Sequence, residues 1–356
     1  MTRPSLKMIH PRLSDGIHGI SRWLSVEMSA RPRTLYIEVT LRCNAKCDFC
    51  SYWKQPKMKE LKEYQSVVKK IKPLSVIITG GEPLVRKDLG QIIDGIKRER
   101  PLIISLLTNG YLLNIQKAGE LLESGLDTIS ISLNHIGVAQ DDERHINGLF
   151  AHLSKVVPDL SGMGFKRINL NTVFLNSNLD EIVDIVRLAE KWGVGVSFSS
   201  YSSSKADNHS YKIAENDLKK LEVLLRKLQD LKKNGAPIEN SNWYLERILE
   251  FYRTGRVKGK CGAGKKTIHV TPNGYLKPCP DFPAEIHYNS YQPDWIETIS
   301  SCDRCWYACR GEVEAPVTPQ RALYFLRMWR KGTNVHLANP VEESNGNLKN
   351  CSFSKH

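Results

Sequence analysis

The 356-residue sequence predicts an α/β protein, a partial parallel barrel of six strand–helix units followed by a small cysteine-rich C-terminal domain. Three observations carry this. Six short apolar runs bounded by turn residues alternate with helix-period segments between residues 35 and 200. That alternation gives way after about residue 205 to a long amphipathic helix and then a Gly/Pro-rich stretch. The nine cysteines fall into two groups more than two hundred residues apart, at 43, 47 and 50 and at 261, 279, 302, 305 and 309, with Cys351 alone.

Residues 1–33 read as an N-terminal extension in which IHGISRWLSVEM predicts one short amphipathic helix. The barrel core, 34–215, opens on LYIEVT (35–40) and continues with SVIITG (75–80), LIISLLTNG (102–110), DTISISL (127–133), RINLNTVF (167–174) and GVGVSFSS (193–200). These runs are apolar enough to predict burial on both faces, as in a parallel sheet. Between them LGQIIDGIKRER, NIQKAGELLESG and NLDEIVDIVRLAEKWG predict helices, the last ending on Gly193 as a C-terminal cap. Residues 216–255 read as a helical linker in which Leu218, Leu221, Leu224, Leu225, Leu228 and Leu231 share one face. Residues 256–315 hold five cysteines and IHVTPNGYLKPC, whose Asn273-Gly274 suits a tight hairpin. Residues 316–356 read as a basic amphipathic helix and a polar tail. Active sites of parallel α/β folds lie at strand C-terminal ends.

A hydrophobic content of 41% and a charged content of 25% exclude a collagenous, largely disordered or disulfide-saturated chain. No run approaches the roughly 18 apolar residues of a membrane span, and the N-terminus lacks the apolar stretch of a secretory signal. A cytoplasmic location is expected, where structural disulfides are rare and an odd cysteine count leaves a thiol over. The two cysteine groups therefore predict metal or cluster sites.

Cys43, Cys47 and Cys50 follow directly on the first strand, so three thiols share one loop at its C-terminal end. Three thiolates can hold three irons of a [4Fe–4S] cluster whose usual complement is four, leaving one iron open to an exogenous ligand. A zinc site is the alternative, but it wants a second cysteine pair nearby. The Cys-x3-Cys-x2-Cys spacing resembles the signature of the radical S-adenosylmethionine (radical SAM) superfamily, with Phe49 in its aromatic position. Gly80-Gly81-Glu82-Pro83 is similar to the motif that approaches the methionine amino group of S-adenosylmethionine: glycines admit close backbone, and a carboxylate pairs with an ammonium. Thr108-Asn109-Gly110 is similar to the family's turn after the third strand. Ser130 and Ser132 fall where the family places a ribose contact, with Asn134 standing where Asp is frequent. Asn171, Asn178 and Ser197 to Ser200 sit where contacts with the carboxylate or adenine are implied.

The resemblance covers roughly residues 34–200 and implies a partial (β/α)6 TIM-like barrel. It also implies an open iron that chelates S-adenosylmethionine. One-electron reduction then breaks the sulfonium C–S bond, and the resulting 5′-deoxyadenosyl radical abstracts hydrogen from a substrate. An electron donor such as flavodoxin or ferredoxin is implied. The cofactors carry this chemistry, and no protein general base is needed for its first step.

In the second group Gly274 lies five residues before Cys279, and Cys302, Cys305 and Cys309 follow. This resembles the auxiliary-cluster extensions called SPASM and twitch. Five cysteines suit the one-cluster twitch form, with Cys261, Cys279, Cys302 and Cys305 as ligands and Cys309 as a substitute. A zinc ribbon is the alternative. Relatives with such extensions include peptide maturases and alcohol-oxidising dehydrogenases, so both substrate classes are expected ahead of a lipid or isoprenoid.

The net charge is +13. Arg253, Arg256, Lys258, Lys260, Lys265 and Lys266 surround Cys261 without an acid, which reads as countering cluster charge and attracting an anionic substrate. TPQRALYFLRMWRKG (318–332) reads first as a helix packed on the barrel and second as a contact with an anionic membrane surface. No nucleic-acid-binding motif is present, so a nucleic-acid partner is not expected. Trp306, Tyr307, Trp243, Tyr244, Phe251 and Tyr252 read as packing. A non-catalytic zinc or iron–sulfur module is the competing class.

Overall fold

A computed structural model describes residues 6–9, 13–29, 31–165, 167–203, 208–296, 299, 301–316 and 334–337. The elements run β1 (Leu6–Ile9), α1 (Leu13–Met28), β2 (Thr34–Thr40), α2 (Gln65–Ile71), β3 (Ser75–Gly80), α3 (Leu89–Arg98) and β4 (Ile103–Thr108). They continue with α4 (Ile115–Glu123), β5 (Thr128–Ser132), α5 (Val138–Arg144), α6 (Leu149–Gly162), β6 (Ile168–Phe174), α7 (Ile182–Trp192) and β7 (Gly195–Ser200). The C-terminal part holds α8 (Leu218–Lys233), α9 (Asn242–Thr254), β8 (Thr267–Val270), β9 (Tyr275–Lys277), β10 (Ile286–His287), α10 (Ala308–Glu314) and β11 (Asn334–Leu337).

The six expected strands all form, and the helices between them start and stop as their caps dictate. Asn114 accepts from the Lys117 amide at 2.7 Å to open α4, and Gly193 at φ +66° closes α7. The sheet is a mostly parallel partial barrel in the order β10-β9-β8-β2-β3-β4-β5-β6-β7. Its strands are not apolar on both faces, as the sequence led us to expect. Burial alternates along them. Ile129 and Ile131 of β5 and Leu170 and Phe174 of β6 are buried, whereas Ser130, Ser132, Asn169 and Asn171 on the other face are half-buried. The fully buried apolar face packs on the helices, and the other face, where Ser130, Ser132, Asn169 and Asn171 stand beside Ile77, Leu107 and Val173, lines the lumen.

The cysteine-rich region is tied to the barrel more closely than a separate domain requires. β8 pairs in parallel with β2, from Thr34 opposite Thr267 to Ile37 opposite Val270, and so adds a seventh parallel strand. The Asn273-Gly274 hairpin then returns as antiparallel β9, with Gly274 at φ +89°. β1 and β11 pair in a small antiparallel sheet of their own. Among the described residues no helix is long and apolar enough to cross a membrane. The basic segment 318–332 and Cys351 lie outside the described residues.

α8 and α9 close the far edge of the sheet. Leu221, Leu224, Leu225 and Leu228 are buried as their spacing requires. The aromatics of α9 do pack, but they also terminate strands. The Tyr252 hydroxyl accepts from the Tyr201 amide at 2.8 Å and donates to the Phe174 carbonyl at 3.0 Å. Tyr244 accepts from the Ser200 amide at 2.8 Å. Tyr252→Phe would leave two buried backbone groups unpaired, and we expect it to lower the unfolding free energy by about 1–3 kcal/mol in a denaturant titration.

Candidate active site

The loop after β2 is built by its neighbours. The Lys46 and Asp48 amides donate to the Arg144 and Glu143 carbonyls at 3.2 Å each, so the end of α5 holds the loop's centre. Inside it the Ala45 amide points at the Cys43 sulfur at 3.4 Å, and Trp53 Nε1 donates to the Cys47 carbonyl at 3.2 Å. Cys43, Cys47 and Cys50 are free thiols. Burial, aided by the neighbouring charges of Glu82, Cys47 and Cys50, pushes the Cys43 thiol up to about 11; the Ala45 amide opposes it. Burial likewise raises Cys47, against the pull of the Arg144 charge. Metal binding would supply the stabilisation these thiolates lack. Arg144 is buried, with Nη1 3.6 Å from the Cys47 sulfur and its guanidinium 5.4 Å from the centre of the Phe49 ring.

At the end of β3 the surrounding backbone itself requires glycine. The Gly81 amide donates to the Thr40 carbonyl and the Glu82 amide to the Arg42 carbonyl, both at 2.8 Å. A Cβ at Gly81 would lie 2.3 Å from the Arg42 oxygen, and one at Gly80 would lie 2.2 Å from the Thr40 oxygen. The glycines let the end of β3 close on the cysteine loop's own backbone. Glu82 is buried and its carboxylate is already engaged. Oε1 accepts from the Leu84 amide (3.0 Å) and the Thr108 hydroxyl (2.7 Å), and Oε2 accepts from the Asn109 amide at 2.7 Å. So placed, the carboxylate braces β3 against β4, with Pro83 starting the short turn that follows. Asn109 extends the brace, its Nδ2 donating to Asn44 Oδ1 at 2.8 Å within the cysteine loop.

Ser130, Ser132 and Asn171 lie on the lumen face, where Ser197 donates to Asn171 Oδ1 at 3.5 Å. Asn178 does not join them. It is fully buried and spends its amide on the Asn134 and Val173 carbonyls and the Leu175 amide. Asn134 is equally committed, to Glu143, Gln140 and the Val173 amide. Sequence reasoning missed Glu38, on the same strand face as Tyr36 and Thr40. Glu38 Oε1 accepts from the Tyr52 hydroxyl at 2.6 Å and pairs with Lys277 Nζ at 2.7 Å. A lone acid inside an apolar strand was the available signal. Burial, then Glu38, raises Tyr52 well above the ordinary tyrosine range, with Cys50 and Asp281 adding to it. Tyr52 therefore stands between the two cysteine groups.

The second group converges on one cavity of about 130 Å³, which all five of its cysteines line, Cys261, Cys279, Cys302, Cys305 and Cys309. Burial pushes Cys279 and Cys305 up to about 12. Asp281 accepts from the Tyr307 hydroxyl at 3.0 Å on the same wall. Among the described residues no three His, Cys, Asp or Glu groups converge on a single-ion site. The expected basic cluster is partly spent elsewhere, Arg253 on Glu222 at 2.8 Å and Arg256 on Asp303 at 3.5 Å, and the four lysines are exposed. The buried cation at the cavity is Arg310. Because Thr267, at the start of β8, lines the cavity while Cys43 follows the end of β2, the two thiol groups occupy opposite ends of neighbouring parallel strands.

Residues 37–201 match the family described as the Radical SAM superfamily. That stretch of the chain is a radical SAM domain. A GTP 3′,8-cyclase of Aquifex aeolicus is 32% identical to it over 188 residues, 48% of this chain and 58% of that protein. A probable GTP 3′,8-cyclase of Methanococcus maripaludis is 27% identical over 256 residues, 69% of this chain and 84% of that protein. In fold the chain is similar to Streptococcus suis SuiB bound to S-adenosylmethionine, with a TM-score of 0.60 and 18% identity over 77% of this chain and 68% of that one. It is also similar to anSMEcpe with bound AdoMet and Cp18Cys peptide, with a TM-score of 0.56 and 17% identity over 73% of this chain and 78% of that one. The family implies a [4Fe–4S] cluster and S-adenosylmethionine. Three free, soft thiols on one braced loop fit such a cluster.

Gly81→Ala tests the brace. We expect overpacking against Arg42 to cost about 1–3 kcal/mol and to lower iron retention by the first loop. Gly162→Ala, whose Cβ meets nothing within 4 Å, is expected to be close to neutral in both thermal melting and iron count.

Proposed function

We propose that this radical SAM enzyme carries two clusters, one at each end of the polar lumen, and oxidises or rearranges a polar substrate held between them. The observation that carries this reading is the placement of two thiol groups at opposite ends of β2 and β8, with Ser130, Ser132, Asn171 and the Glu38–Lys277–Tyr52 group among the lumen and its walls. Cys43, Cys47 and Cys50 would hold the first cluster. Gly80, Gly81, Pro83 and Asn109 would shape the adjoining site for S-adenosylmethionine, with Glu82 bracing it and Phe49 covering the loop. Once loaded and reduced, these groups supply hydrogen-atom abstraction from an unactivated C–H bond. Cys261, Cys279, Cys302 and Cys305, with Cys309 as a substitute, would hold the auxiliary cluster.

The chain's own residues bind, orient and shield. The lumen hydroxyls and amides offer donors and acceptors to a polar substrate, and the apolar outer face keeps the strands rigid behind them. Lys277, neutralised by Glu38, presents its remaining N–H donors without adding net charge to the lumen. A peptide or an alcohol is the leading substrate class, and a small electron carrier such as flavodoxin or ferredoxin is the donor. A cyclisation of a purine nucleoside triphosphate is a second reading. It is favoured by the Methanococcus relative, whose alignment spans 84% of that protein and 256 residues, well beyond the family match.

Anaerobic purification with iron and zinc analysis tests the reading. About eight irons per chain are expected, falling to about four when Cys43, Cys47 and Cys50 are replaced by Ala. Reductive formation of 5′-deoxyadenosine is expected in the unaltered enzyme and absent from that variant. Zinc in place of half the iron would overturn the second cluster, and no cleavage in the unaltered protein would overturn the whole. GTP added to the reduced enzyme should be consumed in step with 5′-deoxyadenosine on the second reading, and should leave turnover unchanged on the first.

A further inference from the structure

Every cysteine of the second group faces one cavity, and one buried cation faces it with them. Arg310 lies one residue after Cys309 on α10 and is 5% exposed. Its guanidinium is fixed on three sides. Nη1 donates to the Cys305 carbonyl at 2.8 Å, Nε pairs with Glu314 Oε1 at 3.2 Å, and the group lies 5.5 Å from the centre of the Trp306 ring. The fourth side is free: Nη2 is buried and has no hydrogen-bond partner among the described residues. A buried N–H donor without an acceptor costs about 1–3 kcal/mol, so a partner is to be expected in the working protein. Arg310 lines the five-thiol cavity. The exposed lysines of the neighbouring basic stretch cannot substitute, because water and salt screen them.

We propose that Arg310 is a positioning residue for the cofactor of the C-terminal thiols, donating Nη2–H to one of its sulfurs and raising its reduction potential. The proposal rests on the reading of that cavity as a cluster site. Clusters gain negative charge on reduction, and hydrogen bonds to their sulfurs are among the determinants of their potential. A donor on a fixed, buried guanidinium favours the reduced state, because its orientation is set before the electron arrives. Glu314 works in the opposite direction. It lines the same cavity and is held back by the Gly262 amide, which donates to it at 3.0 Å. The pair thus aims its positive end at the thiols while its net charge stays near zero.

The test uses the full chain with Cys43, Cys47 and Cys50 replaced by Ala, so that iron in the C-terminal site alone is reported. Its midpoint is read by a potentiometric titration followed by electron paramagnetic resonance. In that background Arg310→Gln is expected to disfavour reduction about tenfold, a shift of 59 mV to lower potential for one electron. Arg310→Lys should fall between the two, and Glu314→Gln should shift the midpoint upward. A merely structural arginine would move melting temperature and leave midpoints alone. Full iron content with unchanged midpoints in Arg310→Gln and Glu314→Gln would overturn the proposal. Zinc in the cavity would instead overturn the cluster reading on which it rests. If Arg310→Gln does not fold, the opposite signs expected for Arg310→Lys and Glu314→Gln still decide.

Discussion

The close contact between the end of β3 and the loop after β2 is the constraint from which the rest of the site follows. Gly80 and Gly81 have no Cβ, and one at either position would collide with backbone oxygen. The gap can therefore close to hydrogen-bond distance, and the Gly81 and Glu82 amides reach Thr40 and Arg42. Glu82, directed inward, then collects donors from its own turn and from the end of β4. Three strand ends become one rigid rim. Such a rim is what a loop carrying three thiols needs, since ligand positions must be held to a fraction of an ångström for a cluster to load without rearrangement.

Much of this was legible in the sequence, and what was not has a common physical cause. The strands and helices follow from local patterning, and the alternation of Ser130-Ile131-Ser132 or Asn169-Leu170-Asn171 already encodes a polar lumen face. The clustering of cysteines already separated the two thiol groups that the fold keeps apart. The missing pieces are long-range pairings. β8 joins β2 across more than two hundred residues, and no local signal in TIHV specifies a parallel partner. The purpose of Gly81 depends on where Arg42 lies, and the occupation of Glu82 depends on Thr108 and Asn109. Arg144 and Arg310 were missed because arginine is expected at the surface, and burial of a guanidinium is visible only once its partners are assembled.

Each thiol group has one buried arginine beside it, and each arginine lies against an aromatic ring, Phe49 for Arg144 and Trp306 for Arg310. The shared logic is electrostatic. Burial raises the thiols and so opposes the charged form, while a buried cation nearby favours it. The ring face shields the guanidinium from water and keeps its field undiluted. Surface lysines contribute to the +13 net charge but do little of this work, because their fields are screened.

The sheet also sets the distance over which the two thiol groups can cooperate. β2 spans seven residues, six rises of about 3.3 Å, so its two ends lie roughly 20 Å apart. The strand has no freedom to change that length, because β3 on one side and β8 on the other share its hydrogen bonds. Between the ends stand Glu38 and Tyr36 on β2 itself, with His269 stacked on Tyr36 at 4.5 Å and Lys277 paired to Glu38. On the function proposed above, a polar molecule lying along the lumen would have one thiol group at each end, and the parallel pairing of β2 with β8 fixes that spacing.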